Sequence, residues 1–203
     1  MLLSIDPGKT HFAYSIFNNN GKLLKLGMIT STISSFAKDT FRSNQKNFIK
    51  ELKDSCSEYT ITNIVAERYQ VRGGKFASMM GANAEFISFM LGVVSAVFRK
   101  KAKTTLISPA LWKSYMYRTY DFPKKTDMPT VFGFNGLSKN FTTVPIKEHQ
   151  FDSTGIGVWW FGSNKGIDIY KKSRATLIKL WRSGKPKSKA ALRSYNKVSI
   201  SVK

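Results

Sequence analysis

Residues 1–29 read MLLSIDPGKTHFAYSIFNNNGKLLKLGMI. The apolar run Met1–Ile5 ends at an acid and a turn, Asp6-Pro7-Gly8-Lys9. A second β-rich run, Phe12–Phe17, follows. Asn18-Asn19-Asn20-Gly21 is a strong hairpin signal, and Lys22–Ile29 is a third run beyond it. Tight turns between apolar runs predict three antiparallel strands, with Asp6 placed just where the first one ends.

Downstream the pattern changes period. Ser34–Cys56 carries Phe36, Phe41, Phe48, Ile49 and Leu52 among charges, the pattern of an amphipathic helix with a break expected near Ser43. Ile61–Ala66 is a short β-branched run that ends in Glu67, and a loop with two glycines, Arg68–Lys75, follows it. Phe76–Lys101 is a long helical segment that becomes apolar on most faces, which implies burial in the core or in a subunit interface. Thr104–Ser108 predicts a fifth strand. Pro109 then opens a helix through Met116, with proline in its first turn. Residues 117–146 have poor periodicity and read as a loop or insertion. Ile146–Phe161 resumes helical order, with Phe151, Val158, Trp159 and Trp160 as apolar anchors. Strand-strand-strand-helix-strand-helix-strand-helix-helix predicts an α/β layered fold on a mixed five-stranded sheet. Ligand chemistry is then expected at the carboxyl ends of the strands.

Charge narrows the partners. In 203 residues there are 33 Lys+Arg against 12 Asp+Glu, a formal net charge of +21 and a pI near 10.1. A folded chain that basic repels itself unless a polyanion supplies counter-charge, and nucleic acid is the usual one. The last stretch, residues 165–203, holds 12 basic residues and the single acid Asp168, and reads as a basic C-terminal extension. Cys56 is the one cysteine, so neither an internal disulfide nor a cysteine-based zinc site can form. An intracellular, soluble protein is expected, without a membrane partner: the opening carries no signal-peptide pattern, and Phe86–Phe98 is too short to span a bilayer.

With so few acids, their positions carry information. Asp6 and Glu67 each follow a strand directly. Asp152 lies near the start of the late helix, with His149 and Glu148 three and four residues before it on the same face. If the first and fourth strands are neighbours, Asp6 and Glu67 emerge side by side. A helix crossing that edge would then add Asp152 and His149, or Glu148 in place of His149. Clustered carboxylates repel one another, and divalent cations offset that repulsion. Oxygen ligands of this kind suit Mg²⁺ or Mn²⁺, and a pair of such ions can hydrolyse a phosphodiester.

These motifs carry a resemblance. Ser4-Ile5-Asp6-Pro7-Gly8-Lys9 resembles the opening of RuvC-type Holliday junction resolvases, and Val65-Ala66-Glu67-Arg68 resembles that family's acid-ended strand. Met79-Met80-Gly81-Ala82-Asn83-Ala84 is similar to the start of its following helix. Ser108-Pro109-Ala110-Leu111-Trp112-Lys113 is similar to its strand-to-helix segment, and His149-x-x-Asp152 to its last motif. The resemblance covers about residues 1–160. It implies a three-layer RNase H-like fold, with a nuclease domain over 1–163 and the basic extension over 164–203. It also implies a two-ion Mg²⁺ or Mn²⁺ centre held by Asp6, Glu67, His149 and Asp152. Branched DNA is the implied substrate and a homodimer, paired through the long helix, the implied assembly; phage and viral members are the nearest in flavour.

DNA contacts are expected from Lys9, Arg68, Tyr69, Arg72, Lys75 and Lys113, with Tyr69 either stacked on an unpaired base or packed in the loop. His11 is expected to be structural, since it lies at a strand start. The rival reading is a nucleic-acid-binding protein that keeps the fold without catalysis. It would bind without metal and tolerate Asp6→Asn. A viral DNA-processing or packaging nuclease would use the same four residues.

Overall fold

The structure, a computed structural model, describes residues 1–30, 32–33, 37–69, 77–119, 148–167 and 169. Among these residues, five strands and four helices follow one another as β1 (Leu2–Pro7), β2 (Phe12–Phe17), β3 (Leu23–Ile29), α1 (Lys38–Cys56), β4 (Asn63–Glu67), α2 (Ala77–Phe98), β5 (Lys103–Ile107), α3 (Pro109–Thr119) and α4 (Glu148–Lys165). The strands form one sheet in the order β3-β2-β1-β4-β5. β3, β2 and β1 run antiparallel, as a meander joined by tight turns must. β4 and β5 run parallel to β1, each reached through a helical crossover. The mixed five-stranded α/β architecture expected from the sequence is therefore present.

The hairpin between β2 and β3 is built by its asparagines and glycine. Asn18 Oδ1 accepts hydrogen bonds from the Asn20 and Lys22 N–H groups at 3.0 and 2.9 Å. Gly21 has φ 81°, the left-handed region that a side chain disfavours, and an added Cβ there would also lie 2.7 Å from Ile169 Cγ1.

Strand alternation sorts the core into two layers. Leu3 and Ile5 of β1, Phe12, Tyr14 and Ile16 of β2, and Ile64 and Ala66 of β4 share one face. That face packs on Phe48 and Leu52 of α1 and on Phe86, Ile87, Met90 and Val94 of α2. On the other face Leu2, Phe17, Val65 and Ile107 pack on Trp112 and Met116 of α3 and on Phe151, Ile156, Val158, Trp160 and Phe161 of α4. Two helices on each side of the sheet make three layers. β1 and β2 are buried along their whole length, because both their faces are covered.

α4 lies close to the sheet because its sheet-facing residues are small. An added Cβ on Gly157 would come within 2.3 Å of the Phe17 ring and 2.9 Å of Ser4 Oγ. Ser15 Oγ of β2 lies 2.7 Å from Ser153 Oγ and 2.9 Å from Thr154 Oγ1, both on α4. The Ser153 and Thr154 hydroxyls also lie 2.9 and 2.8 Å from the Gln150 carbonyl, which accepts from them. All three hydroxyl residues are buried, so sliding the helix would leave polar groups unpaired away from water. This network holds α4 in one register against β2.

Several boundaries differ from the sequence reading. α1 is unbroken through Ser43, which is exposed, where a weaker helix former has little effect. α3 continues to Thr119 and α4 to Lys165. Ile167 and Ile169 still pack on the α3/α4-side cluster. Trp160 is buried and Trp159 partly so, as core anchors should be. Along α2 the line Glu85, Ser88, Gly92 and Ala96 is exposed, while Phe86, Ile87, Met90 and Leu91 are buried. Most of the insertion expected at 117–146 lies outside the described residues, as does nearly all of the basic extension. No helix among the described residues is long and apolar enough to cross a membrane.

Two stability measurements follow from this packing. Gly157→Ala should lower the unfolding free energy in urea by about 1–3 kcal/mol, because the methyl group forces Phe17 or the helix to move. Gly92→Ala, whose added methyl meets nothing within 4 Å, should instead raise it by up to about 1 kcal/mol. Burial pushes the Cys56 thiol up to about 11. A thiol reagent at pH 8 should therefore label native protein roughly a hundredfold more slowly than protein in urea.

Candidate active site

Ile5 of β1 pairs with Ala66 of β4, so Asp6 and Glu67 are the next residues along two adjacent parallel strands. Alternation puts both on the face covered by α3 and α4: Asp6 follows Leu2 and Ser4, and Glu67 follows Val65. At the start of α4 His149 and Asp152 sit one turn apart. His149 Nδ1 is 2.8 Å from Asp6 Oδ2. The chain thus brings together residues 6, 67, 149 and 152 at the carboxyl edge of β1 and β4.

Each acid faces a proton donor of the protein. Glu67 Oε2 accepts from the Trp112 indole N–H at 2.6 Å. Asp152 Oδ2 accepts from Lys113 Nζ at 3.3 Å. Asp6 faces His149. Burial pushes the Glu67 carboxyl up to about 7; the Trp112 hydrogen bond works against that shift, and the negative charge of Asp6 adds to it. Burial likewise pushes Asp152 up to about 6, opposed by Lys113 and reinforced by Asp6. The hydrogen bond to Asp6 raises His149 above its ordinary value despite partial burial. Burial draws Lys113 down, but the Asp152 and Glu67 carboxylates outweigh it and leave the ammonium raised. The picture is a buried acidic notch whose carboxylates repel one another and are steadied by three donors.

That donor set suits a hard divalent cation: three carboxylates and one imidazole. Among the described residues no three His, Cys, Asp or Glu side chains converge on one ion-sized point, since each acid is turned to its protein donor. The residue types and their mutual repulsion fit such an ion, which would take the place of Lys113 or His149 as the partner of a carboxylate. Glu148, the alternative ligand, is exposed in the first turn of α4, while His149 contacts Asp6.

The remaining expected residues fall around this notch. Lys9 Nζ sits 4.7 Å from the centroid of the Phe86 ring on α2. Arg68 is exposed, its backbone N–H bonded to the Ile107 carbonyl. Tyr69 is partly buried against the α1/α2-side cluster. Arg72 and Lys75 lie outside the described residues.

Two features escaped the sequence reading. The His11 ring stacks on His149, with centroids 5.4 Å apart and planes 12° from parallel. Its Nδ1 lies 2.8 Å from Thr10 Oγ1. Trp112, expected only as part of a motif, contributes a donor to an acid. The signal in the sequence was its place next to Lys113, because consecutive residues at the start of a helix can reach two adjacent acids.

No family model matches the sequence, and no curated protein matches it. Solved structures do. RuvC of T. thermophilus in complex with a Holliday junction substrate aligns over 82% of this chain and 96% of its own, at a TM-score of 0.55 and 14% identity. The Fowlpox virus resolvase, solved with substrate Holliday junction DNA, aligns over 80% of this chain and 99% of its own, at a TM-score of 0.51 and 17% identity. The fold is that of the RuvC-like resolvases, and nearly the whole length of each is represented here.

The raised carboxyls imply a pH dependence. The folded state holds the Glu67 proton more tightly than the unfolded state does, because the folded value, about 7, exceeds the ordinary 4.5. The stabilisation this gives is complete below about 4.5 and is lost as the pH rises through 7. In EDTA, urea midpoints should fall across that window in the wild type. Glu67→Gln should flatten the slope and be more stable at pH 8 by on the order of 1–3 kcal/mol.

Proposed function

We propose that this chain is a metal-dependent endonuclease that hydrolyses phosphodiesters in branched DNA, with the four-way Holliday junction as its substrate. The observation that carries this reading is the meeting of Asp6, Glu67, His149 and Asp152 at one sheet edge, within a strongly basic chain of resolvase fold. Both structural relatives described above are held with Holliday junction DNA.

The residues divide the work as follows. Asp6, Glu67 and Asp152 would hold two Mg²⁺ or Mn²⁺ ions, with His149 as a fourth ligand or as the group that orients the attacking water. The ions supply Lewis-acid polarisation of the scissile phosphate and activation of that water. His149 is oriented by its Nδ1 contact with Asp6 and by the His11 ring stacked on it. Lys113, which ion-pairs with Asp152 and is partly exposed, would be placed to meet a phosphate oxygen. Lys9 and Arg68, with Arg72 and Lys75, would meet the backbone of the arms. Tyr69 would bear on a base or a sugar near the branch. Backbone contacts dominate such binding, so affinity should fall steeply with salt. We propose a nuclease domain over 1–163, a basic extension over 164–203 that adds DNA contacts, and a homodimer through α2. A two-fold pair of subunits would present one centre to each of two opposed strands of a junction.

A labelled synthetic four-way junction, beside matched linear duplex and flap DNA, tests this. Paired nicks near the branch are expected with Mg²⁺ or Mn²⁺ and none with EDTA. Asp6→Asn should lower the rate by more than about a hundredfold, exceeding the usual effect of losing an outer-shell partner. Equal cutting of all three substrates would remove the junction specificity. Tight junction binding with no cutting under either metal would sink the enzyme and leave a binding protein.

A further inference from the structure

We propose that Trp112 is a positioning residue for Glu67: its indole N–H fixes the carboxylate that the metal centre uses, and Gly155 on α4 makes room for the ring that carries it. This rests on the reading of the centre given above and concerns residues outside its three acids and one histidine.

Trp112 has no solvent exposure, and its one polar atom is a donor that cannot accept. That donor is directed at Glu67 Oε2 at 2.6 Å, within hydrogen-bond distance. If packing were all that this position required, Phe or Leu would fill it without burying a polar atom. An indole instead offers a donor that is always protonated and has only two side-chain torsions. Lys113, the next residue, makes the parallel contact to Asp152 but is partly exposed on a flexible stem. α3 therefore presents two consecutive donors to two acids from different elements, one fully buried and one partly exposed.

The other end of the indole rests on α4. An added Cβ on Gly155 would lie 2.5 Å from Trp112 Cζ3 and 3.0 Å from Cε3. One flat, rigid side chain thus spans from the backbone of α4 to the acid at the end of β4. Gly155 is three residues beyond Asp152, so the same ring also spaces the helix that carries Asp152 from the strand that carries Glu67. A methyl group at residue 155 would push the ring, and the N–H with it, off the carboxylate.

The test uses the full chain. In the wild type, the Trp112 indole ¹H–¹⁵N resonance is identified by its loss in Trp112→Phe. Without metal it should shift when Glu67 is replaced by Gln, and in Gly155→Ala it should move toward the position of a free indole. Trp112→Phe keeps an aromatic ring and loses the donor. It should weaken Mn²⁺ binding, measured by calorimetry without DNA, by about 10–100-fold. At saturating Mg²⁺ the junction KM should stay the same while kcat falls. Wild-type Mn²⁺ affinity and kcat in Trp112→Phe would overturn the proposal and leave Trp112 as core. Should that variant fail to fold, the indole resonances of all four tryptophans staying in place in Glu67→Gln would overturn it equally. The underlying metal reading fails separately, by Glu67→Gln binding Mn²⁺ and cutting junctions like the wild type.

Discussion

Leu2 to Ile5 lie in parallel register with Asn63 to Ala66, and the placing of Asp6 beside Glu67 follows from that pairing. A shift by one residue would send Glu67 to the opposite face of the sheet, beneath α1 and α2, because strand side chains alternate. The correct register is enforced from both sides. Leu3, Ile5, Ile64 and Ala66 are committed to one apolar layer, and Leu2 and Val65 to the other. The geometry of the candidate site is thus secured by apolar residues that lie outside it.

The second constraint is the docking of α4. Small residues and paired hydroxyls let it approach β1 and β2 closely, and they allow only one sliding position. That position puts His149 against Asp6 and Asp152 within reach of Lys113. The site is consequently assembled from three separate elements held by unlike forces: apolar burial for the strands, buried hydroxyl pairing for α4, and an aromatic spacer between α4 and β4. Its carboxylates sit in the low-dielectric interior of a chain that is elsewhere strongly basic. Proton donors from Trp112, Lys113 and His149 partly offset the desolvation of those charges, and a divalent cation would do so more fully.

Much of this was legible in residue order. The NNNG turn, the apolar runs in residues 1–29, the run Ile61–Ala66 ending in Glu67 and the run Thr104–Ser108 are enough to read the strands, and all five are present within a residue or two at each end. The first and fourth strands are neighbours, as the site requires, and His149 lies against Asp6. Helix ends were read less well. The expected break at Ser43 is absent because solvent tolerates a serine on that side, and α3 runs further than its apolar pattern, since helical continuity needs no apolar residue at each turn.

What the sequence by itself determined is the inventory: which segments are strands and helices, which acids end strands, and how strongly the chain is drawn to a polyanion. Those properties are local or additive, so period, spacing and composition report them. What only the tertiary structure decided is pairing across distance. The Trp112–Glu67 and Ser15–Ser153 hydrogen bonds and the stack of His11 on His149 each join residues that are far apart in the chain. Indole and imidazole read alike as core or surface until the fold sets an acid or a second ring beside them. A glycine such as Gly155 is mute in the sequence, because the reason for its missing side chain is the tryptophan ring that occupies the space.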